Sequence, residues 1–226
     1  MADLLVLLQF GDSALPVGAF SFSHGLESAT QQGLVTDAET LEAFVMTAVR
    51  QSAVSDGIAL LLAHRAANAA DLATLAAIDC ATFERKLNEE IRLMTVRMGR
   101  KLAELAVAVI DDAVNHAWLD RIRQGVTPGT HPVSLAVAMA SLGADPRDAF
   151  AAQHYGVATT ILSAALRLMR LSFLDTQRIL RQAMAVVPQL CEEVMDAGLD
   201  DMSGFAPMND ILAAIHVKSY VRMFMN

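Results

Sequence analysis

The stretch that decides the fold class of this chain is Phe83–Ile110, which reads FERKLNEEIRLMTVRMGRKLAELAVAVI. Its apolar residues recur three or four positions apart, the spacing that places them on one side of an α-helix. The pattern predicts one long amphipathic helix, or two helices with a bend at Gly99. The apolar side consists of Leu87, Ile91, Met94, Met98, Leu102 and Leu105.

The opposite side of this stretch is charged, with residues of both signs between Arg85 and Glu104. A solvated face with mixed ion pairs is the usual meaning of such a pattern. A stripe that faces a partner protein is the sharper alternative. The sequence leaves both readings open.

Helical patterns continue toward the N-terminus. Thr36 followed by Glu39 has the form of a capping box and predicts a helix over about 37–54. Ser55 or Asp56 is then a candidate N-cap for the next helix. These signals predict a short break between two helices.

The C-terminal half is more apolar and begins after a loop at 124–131 that contains Gly and Pro. A buried helix is predicted over Pro132–Leu142. Asp145-Pro146 is an N-cap followed by proline at the first helical position, and it predicts a helix through Leu171. Pro188 is expected to kink or divide the helix that follows.

These patterns together predict an all-α fold, a single-domain helical bundle over residues 1–226. No series of alternating polar and apolar residues suggests a strand, and the composition is rich in Ala, Leu and Met. With 54% hydrophobic residues, the chain has more apolar material than a monomer's surface usually carries, which predicts a homodimer. We expect a flexible N-terminal segment, about 1–20, and a C-terminal docking tail, about 205–226, whose polar lead Gly198–Gly204 lets it detach from the core.

Charge and cysteine content restrict the class of partner. The formal net charge of -8 opposes binding to nucleic acid or to an anionic membrane, because both require a basic surface. The chain has two cysteines, Cys80 and Cys191, far apart and outside any CxxC motif. This usage fits a reducing cytoplasm. The apolar stretch Leu4–Phe10 follows Asp3 instead of a basic residue, so we do not interpret it as a signal peptide.

No pattern for catalysis or for a resident metal is visible. The phosphate-binding motif GxxxxGK[ST] is absent, as are HExxH and GxSxG. His24 and Glu27 are spaced to share a helical face, but two ligands are too few for a structural metal site. A binding role without enzymatic activity is the prediction. The alternatives are an enzyme whose pocket the spacing does not reveal and a helical scaffold or adaptor protein.

The segment Leu15–Glu27 reads LPVGAFSFSHGLE and resembles the N-terminal signature of the UreF family of urease accessory proteins, LPVGGFSYSxGLE. Asn88–Leu102 resembles the family's charged helix. Ala165–Leu180 resembles its segment (V/L)RLxPLGQxxxQxxL, and Pro207–Phe224 its closing pattern PxxDIxxxxHExxYxRLF. The resemblance therefore spans nearly the whole chain.

The resemblance implies an all-α, dimeric assembly factor that acts as a chaperone in nickel insertion. Such a protein binds the accessory protein UreD/UreH and recruits or regulates the GTPase UreG on the urease apoprotein. It performs no chemistry and binds no cofactor itself, since nickel and GTP act through its partners. These implications concern maturation of the urease metallocentre.

The resemblance also assigns roles to individual residues. Glu27 and Arg167 match positions associated with the GTPase-facing surface. The alternatives are that Glu27 caps or solubilises its helix and that Arg167 pairs with a carboxylate inside the fold. The tail residues expected to bind a partner are His216, Tyr220, Arg222 and Phe224, and the residues expected to maintain the motif structure are Pro16, Gly18, Phe20, Ser23, Gly25 and Gly99.

Departures from the family pattern fall at two places. Arg170, Ser172 and Phe173 stand where the family usually has Pro, Gly and Gln, which puts the turn after Leu171 in question. Val217 stands where a glutamate usually follows the tail histidine, so we expect this chain to lack one carboxylate contact of its relatives.

Overall fold

The computed structural model describes residues 2–12, 15–204, 212, 223 and 224, and the regular structure among them is entirely helical. The predicted all-α class is therefore confirmed. Short 3₁₀ helices lie at Ala19–Ser21 and Leu199–Asp201. The α-helices are α1 Ala2–Phe10, α2 Leu26–Gln31, α3 Ala38–Ser52, α4 Ile58–Asn68, α5 Leu72–Glu84, α6 Glu89–Ile110, α7 Ala113–Arg123, α8 His131–Ser141, α9 Pro146–Leu168 and α10 Phe173–Val194.

Helix α8 lies at the centre of the core. Every residue from Pro132 to Ala140 is buried, and α4 and α6 pack along it most extensively. A helix that is apolar all round is expected to be enclosed on all sides. The predictions of a buried helix here and of a preceding loop are confirmed.

The predicted break between the helices at 37–54 and 58–68 is wrong. A π-helical turn, Ala53–Gly57, joins α3 directly to α4. Ser55 caps nothing, because its hydroxyl donates to the Gln51 carbonyl oxygen at 2.9 Å. Asp56 instead forms an ion pair with Lys86. Ser55 thus bonds within the helical run and Asp56 pairs with a distant residue, so neither side chain caps α4.

The predicted capping box of α3 is displaced by one residue. The Asp37 carboxylate accepts from the Thr40 backbone amide at 2.9 Å, and the Thr40 hydroxyl accepts from the Asp37 amide at 3.1 Å. The pair therefore replaces Thr36 and Glu39. Helix α3 begins at Ala38, within a residue of the predicted start.

Of the two alternatives for the charged stretch, the bend at Gly99 is wrong, and a single helix spans most of it. The break lies at 85–88, where Asn88 caps α6 through bonds from the amides of Glu90 and Ile91, and α6 continues through Gly99. A Cβ at Gly99 would lie 2.2 Å from the Gly129 carbonyl oxygen. This glycine therefore permits close contact between α6 and the loop before α8.

The turn after Leu171 is intact despite the departures from the family pattern. Ser172 forms a capping box with Asp175, whose amide donates to the Ser172 hydroxyl at 3.1 Å, and α10 begins at Phe173. Helix α9, capped by Asp145 as predicted, ends at Leu168 and not at Leu171. Pro188 lies inside α10 without dividing it.

The lead Gly198–Gly204 is fastened to the core, contrary to the expectation that it detaches. The Ser203 amide donates to the Val54 carbonyl oxygen at 2.9 Å. The Gln51 side-chain amide donates to the Ser203 carbonyl oxygen, also at 2.9 Å. Met202 is buried beside these bonds.

The continuous helical run from α3 through α4, Ala38–Asn68, is long and apolar enough by composition to cross a membrane. Most of its apolar window is buried inside the fold. Core helices of water-soluble folds satisfy the same criteria, so the run is weak support for a membrane span.

Candidate functional site

The N-terminal signature, Leu15–Glu27, folds as two tight turns around a short 3₁₀ helix. Gly18 and Gly25 both adopt left-handed backbone angles, with φ of 89° and 82°. A Cβ at Gly18 would meet no atom within 4 Å, so the backbone angle, not space, requires glycine there. Ser23 is fully buried, and its hydroxyl accepts from the Glu27 amide at 3.4 Å. Pro16 is exposed at the entry to the first turn.

Glu27 follows the second turn, in the first turn of α2, and its side chain points into the fold. The residue is 2% exposed. One carboxylate oxygen accepts a hydrogen bond from the Met223 backbone amide at 2.7 Å, and the other accepts from the Phe224 amide at 3.0 Å. A buried carboxylate requires such donors, and bonds to a charged acceptor are the strong ones.

Arg167, near the end of α9, contacts the same dipeptide from the other side. Its guanidinium carbon lies 4.1 Å from the centroid of the Phe224 ring, a cation–π contact. One guanidinium nitrogen donates to the Phe20 carbonyl oxygen at 2.8 Å. The guanidinium therefore links the N-terminal signature to the C-terminal dipeptide.

We call Glu27, Arg167 and the Phe20 carbonyl the C-terminal seat, and Met223–Phe224 its occupant. Phe224 is buried in the seat, whereas Phe20 and Met223 are 69% and 61% exposed beside it. Three residues assigned from separate motifs thus meet at one place. The remaining tail residues of the assignment, His216, Tyr220 and Arg222, lie outside the described residues.

The placement of Glu27 corrects one expectation. Its carboxylate does not lie on an open surface, because the dipeptide covers it. Among the described residues, Glu27 binds the backbone of Met223 and Phe224, and Arg167 contacts a carbonyl oxygen and an aromatic ring. Arg167 is exposed, as a surface residue would be. Whether either residue contacts a partner stays a prediction.

A cavity of about 80 Å³ lies behind the signature, between α1, α6, α8 and α9. Its polar lining includes His24, Asp56, His131 and Gln153, together with Asp12, Thr95 and Thr160. Burial lowers the pKa of both His24 and His131 to about 4, and the charge of Asp56 opposes the shift only in part. Both imidazoles are therefore neutral at neutral pH. Among the residues that the structure describes, no three His, Cys, Asp or Glu side chains are grouped to hold a metal ion.

Asp79 lies outside the motifs described above, and it organises the loop before α8. It is fully buried, and its carboxylate accepts from the Thr127 hydroxyl at 2.5 Å and from the amides of Gly129 and Thr130 at 2.6 and 2.8 Å. The Gly129 carbonyl, on this same loop, is the group that Gly99 approaches. No local pattern marks Asp79, since its partners lie 48 to 51 positions away.

Comparison with known proteins gives consistent matches. The UreF family model matches residues 35–184. The chain is 67% identical over 226 residues to urease accessory protein UreF 2 of Brucella abortus (strain 2308), covering 100% of this chain and 93% of that protein. It is 66% identical to urease accessory protein UreF 1 of Brucella melitensis biotype 1, covering 100% and 94%.

A more distant relative covers the same length. The chain is 48% identical over 225 residues to urease accessory protein UreF of Yersinia enterocolitica, covering 100% of this chain and 99% of that protein. The family model contains Arg167 and Gly99, but it ends before Phe224 and begins after Glu27. The matches to the three relatives cover the whole of this chain and therefore include both Glu27 and Phe224.

Proposed function

This chain belongs to the UreF family of urease accessory proteins, and from that premise we propose that it is an assembly factor for the nickel metallocentre of urease. It binds UreD/UreH and recruits or regulates the GTPase UreG on the urease apoprotein. It acts by protein–protein contact as a chaperone, and nickel and GTP are handled by its partners.

The observation that supports this role best is the C-terminal seat, where residues of three family-like motifs converge. Its surroundings have the composition of a protein-binding surface: two exposed apolar side chains, Phe20 and Met223, flank the exposed Arg167. Aromatic residues, Met and Arg are enriched in protein interfaces, and Arg is frequent among the residues that dominate binding energy.

We propose that the chain forms a homodimer. Phe173 and Leu174, at the start of α10, are large apolar residues that lie exposed, as does Leu166 on α9. A contact with a second copy would remove this apolar area from water. Light scattering at several concentrations tests the proposal, and a monomer mass at all of them contradicts it.

We propose a cytoplasmic location. Cys80 and Cys191 are both free thiols, which is the usual state of cysteines in a reducing compartment. Cell fractionation with an antibody to the chain tests this location.

The test of function is complementation. A urease operon without its own UreF gene, expressed with this chain, should yield active, nickel-containing urease, and the tagged chain should capture UreD/UreH and, with it, UreG. A helical scaffold unrelated to urease would restore neither activity nor capture. GTP turnover by the isolated chain would favour the enzyme alternative, and submicromolar nickel binding in calorimetry would contradict the proposal that its partners alone handle the metal.

A further inference from the structure

The C-terminal seat recognises its occupant in two ways. Glu27 binds the two backbone amides of Met223 and Phe224, which any pair of non-proline residues would supply. Arg167 lies over the Phe224 ring and therefore selects an aromatic side chain at the second position. The seat is thus built for a dipeptide that ends in an aromatic residue, and the chain's own C-terminal end fills it.

Glu27 and Phe224 are both buried where the seat meets the dipeptide, so each depends on the other for its surroundings. If the dipeptide left, the Glu27 carboxylate would lose two charge-assisted hydrogen bonds in a site where it is 2% exposed. The Phe224 ring would lose its buried position at the same time. While the dipeptide is seated, Glu27 has no free surface from which to contact another protein.

We infer that Glu27 is a positioning residue, which seats Met223–Phe224 against α2 and α9 and contributes to partner binding only through that dipeptide. The seated dipeptide leaves the Met223 side chain exposed next to Phe20 and Arg167. The surface offered to a partner therefore includes the C-terminal end of the chain, and Glu27 lies beneath it. The partner-binding half of this inference rests on the proposed function, whereas the seating half concerns the isolated chain alone.

Seating is tested first in the full-length isolated chain, by amide hydrogen exchange of Met223 and Phe224 measured with NMR. Glu27→Gln keeps the size of the side chain but leaves one acceptor oxygen for two donors. We expect exchange of both amides to quicken by roughly tenfold or more. Glu39→Gln, an exposed glutamate in the first turn of α3, is the matched control and should change neither rate. Unchanged exchange in Glu27→Gln overturns the inference.

A second variant distinguishes a local effect on the dipeptide from misfolding of the chain. Phe224→Ala leaves Glu27 intact but removes the ring from beneath Arg167, so both amides should again exchange faster. A thermal melt of each variant distinguishes local release from unfolding. The role given to the carboxylate is overturned if the two amides exchange faster in Phe224→Ala but exchange at the wild-type rate in a folded Glu27→Gln variant.

The partner test is a double-mutant cycle on capture of UreG by the complex of this chain with UreD/UreH. If Glu27 acts through the dipeptide, Glu27→Gln and Phe224→Ala each weaken capture, and the double variant is little worse than the weaker single one. If the two residues made independent contacts, their effects on capture would multiply, so two roughly tenfold losses of affinity would give about a hundredfold loss. A multiplicative result overturns the inference. If the wild-type complex does not capture UreG, the proposed function fails, and hydrogen exchange still decides the seating.

Discussion

The carboxylate of Asp79 accepts hydrogen bonds from both the backbone amide and the hydroxyl of Thr130, 51 positions further along the chain. It also accepts from Thr127 and from the Gly129 amide. One fully buried side chain thus fixes the loop 124–130 onto α5 and sets the start of the central helix α8.

Replacing Asp79 with asparagine should destabilise the fold strongly. Asparagine offers one acceptor oxygen and adds two N–H groups to a site whose other members are nearly all donors, so buried donors lose their partners. We expect a loss of about 3 kcal/mol in the free energy of unfolding, measured with denaturant. Asp120→Asn, at an exposed position on α7, should change stability by less than about 0.5 kcal/mol. Equal stability of the two variants would contradict this account of the loop.

Gly99→Ala should be destabilising although alanine favours helices. The new Cβ would lie 2.2 Å from the Gly129 carbonyl oxygen and 2.4 Å from the Thr130 carbonyl carbon, both backbone atoms. Overpacking of this kind costs about 1–3 kcal/mol. Gly156→Ala in α9 is the matched control, because a Cβ there meets nothing within 4 Å, and it should stabilise by about 0.5–1 kcal/mol. Thermal melts check both expectations, since Gly99→Ala should lower the melting temperature and Gly156→Ala should raise it.

The sequence predicts the parts of this fold that depend on local signals. The apolar run Pro132–Leu142 and the Asp145-Pro146 cap identify α8 and the start of α9. The join between α3 and α4 escapes prediction because Asp56 has a distant ionic partner, Lys86, that no spacing rule connects to it.

The candidate site likewise has features that the sequence indicates and features that depend on distant contacts. The resemblance selects Glu27, Arg167 and Phe224 as separate motif positions, but nothing in the sequence indicates that residues 197 positions apart share hydrogen bonds. The burial of Glu27 follows from that long-range contact, which is why the expectation of an open surface fails for Glu27 and not for Arg167.

Stability should fall on acidification, in part through His154. Burial lowers the pKa of this imidazole from 6.5 to about 4. Above pH 6.5 the folded and unfolded states both hold it neutral. Between pH 6.5 and 4 the unfolded state takes up a proton that the folded state does not, so the free energy of unfolding decreases, and below about pH 4 this loss is complete.

The variant His154→Gln isolates that contribution. Between pH 7 and 5 the wild-type chain should lose about 2 kcal/mol through this one histidine, and the variant should lose that much less. At pH 7 the variant should also be less stable than the wild type, because the ring stacks on Phe150 with centroids 4.0 Å apart. The slope of the free energy of unfolding against pH is therefore the readout. Tyr155→Phe, at the neighbouring exposed position, should keep the wild-type slope, and an unchanged slope in His154→Gln would contradict the assignment.

Arg167 should affect partner recruitment through the shape of its guanidinium as well as its charge. Arg167→Lys keeps the positive charge but loses the planar group that lies over Phe224 and donates to the Phe20 carbonyl. We expect capture of UreG to weaken by roughly fivefold, corresponding to about 1 kcal/mol, with folding retained. Arg181→Lys, exposed on α10, is the control. Full capture by the Arg167 variants, including Arg167→Ala, would exclude the predicted role.

Deletion of residues 205–226 tests whether the C-terminal segment is a docking tail or the last part of the core. The cut leaves the lead fastened, because Ser203 still bonds to Val54 and Gln51. It removes Leu212 and Phe224, both buried, and uncovers Glu27. The loss of two buried apolar side chains alone should cost about 3–6 kcal/mol.

We expect the truncated chain to melt cooperatively at a lower temperature and to lose capture of UreD/UreH, because it lacks two buried side chains and the segment that is predicted to dock. The double variant Leu212→Ala/Phe224→Ala is the matched control, since it removes the same buried side chains but keeps the rest of the segment. If docking depends on that remainder, the double variant matches the truncation in stability and retains more capture. Capture retained by the truncated chain would refute docking, whereas a chain that no longer folds would favour the alternative that the segment is the last part of the core.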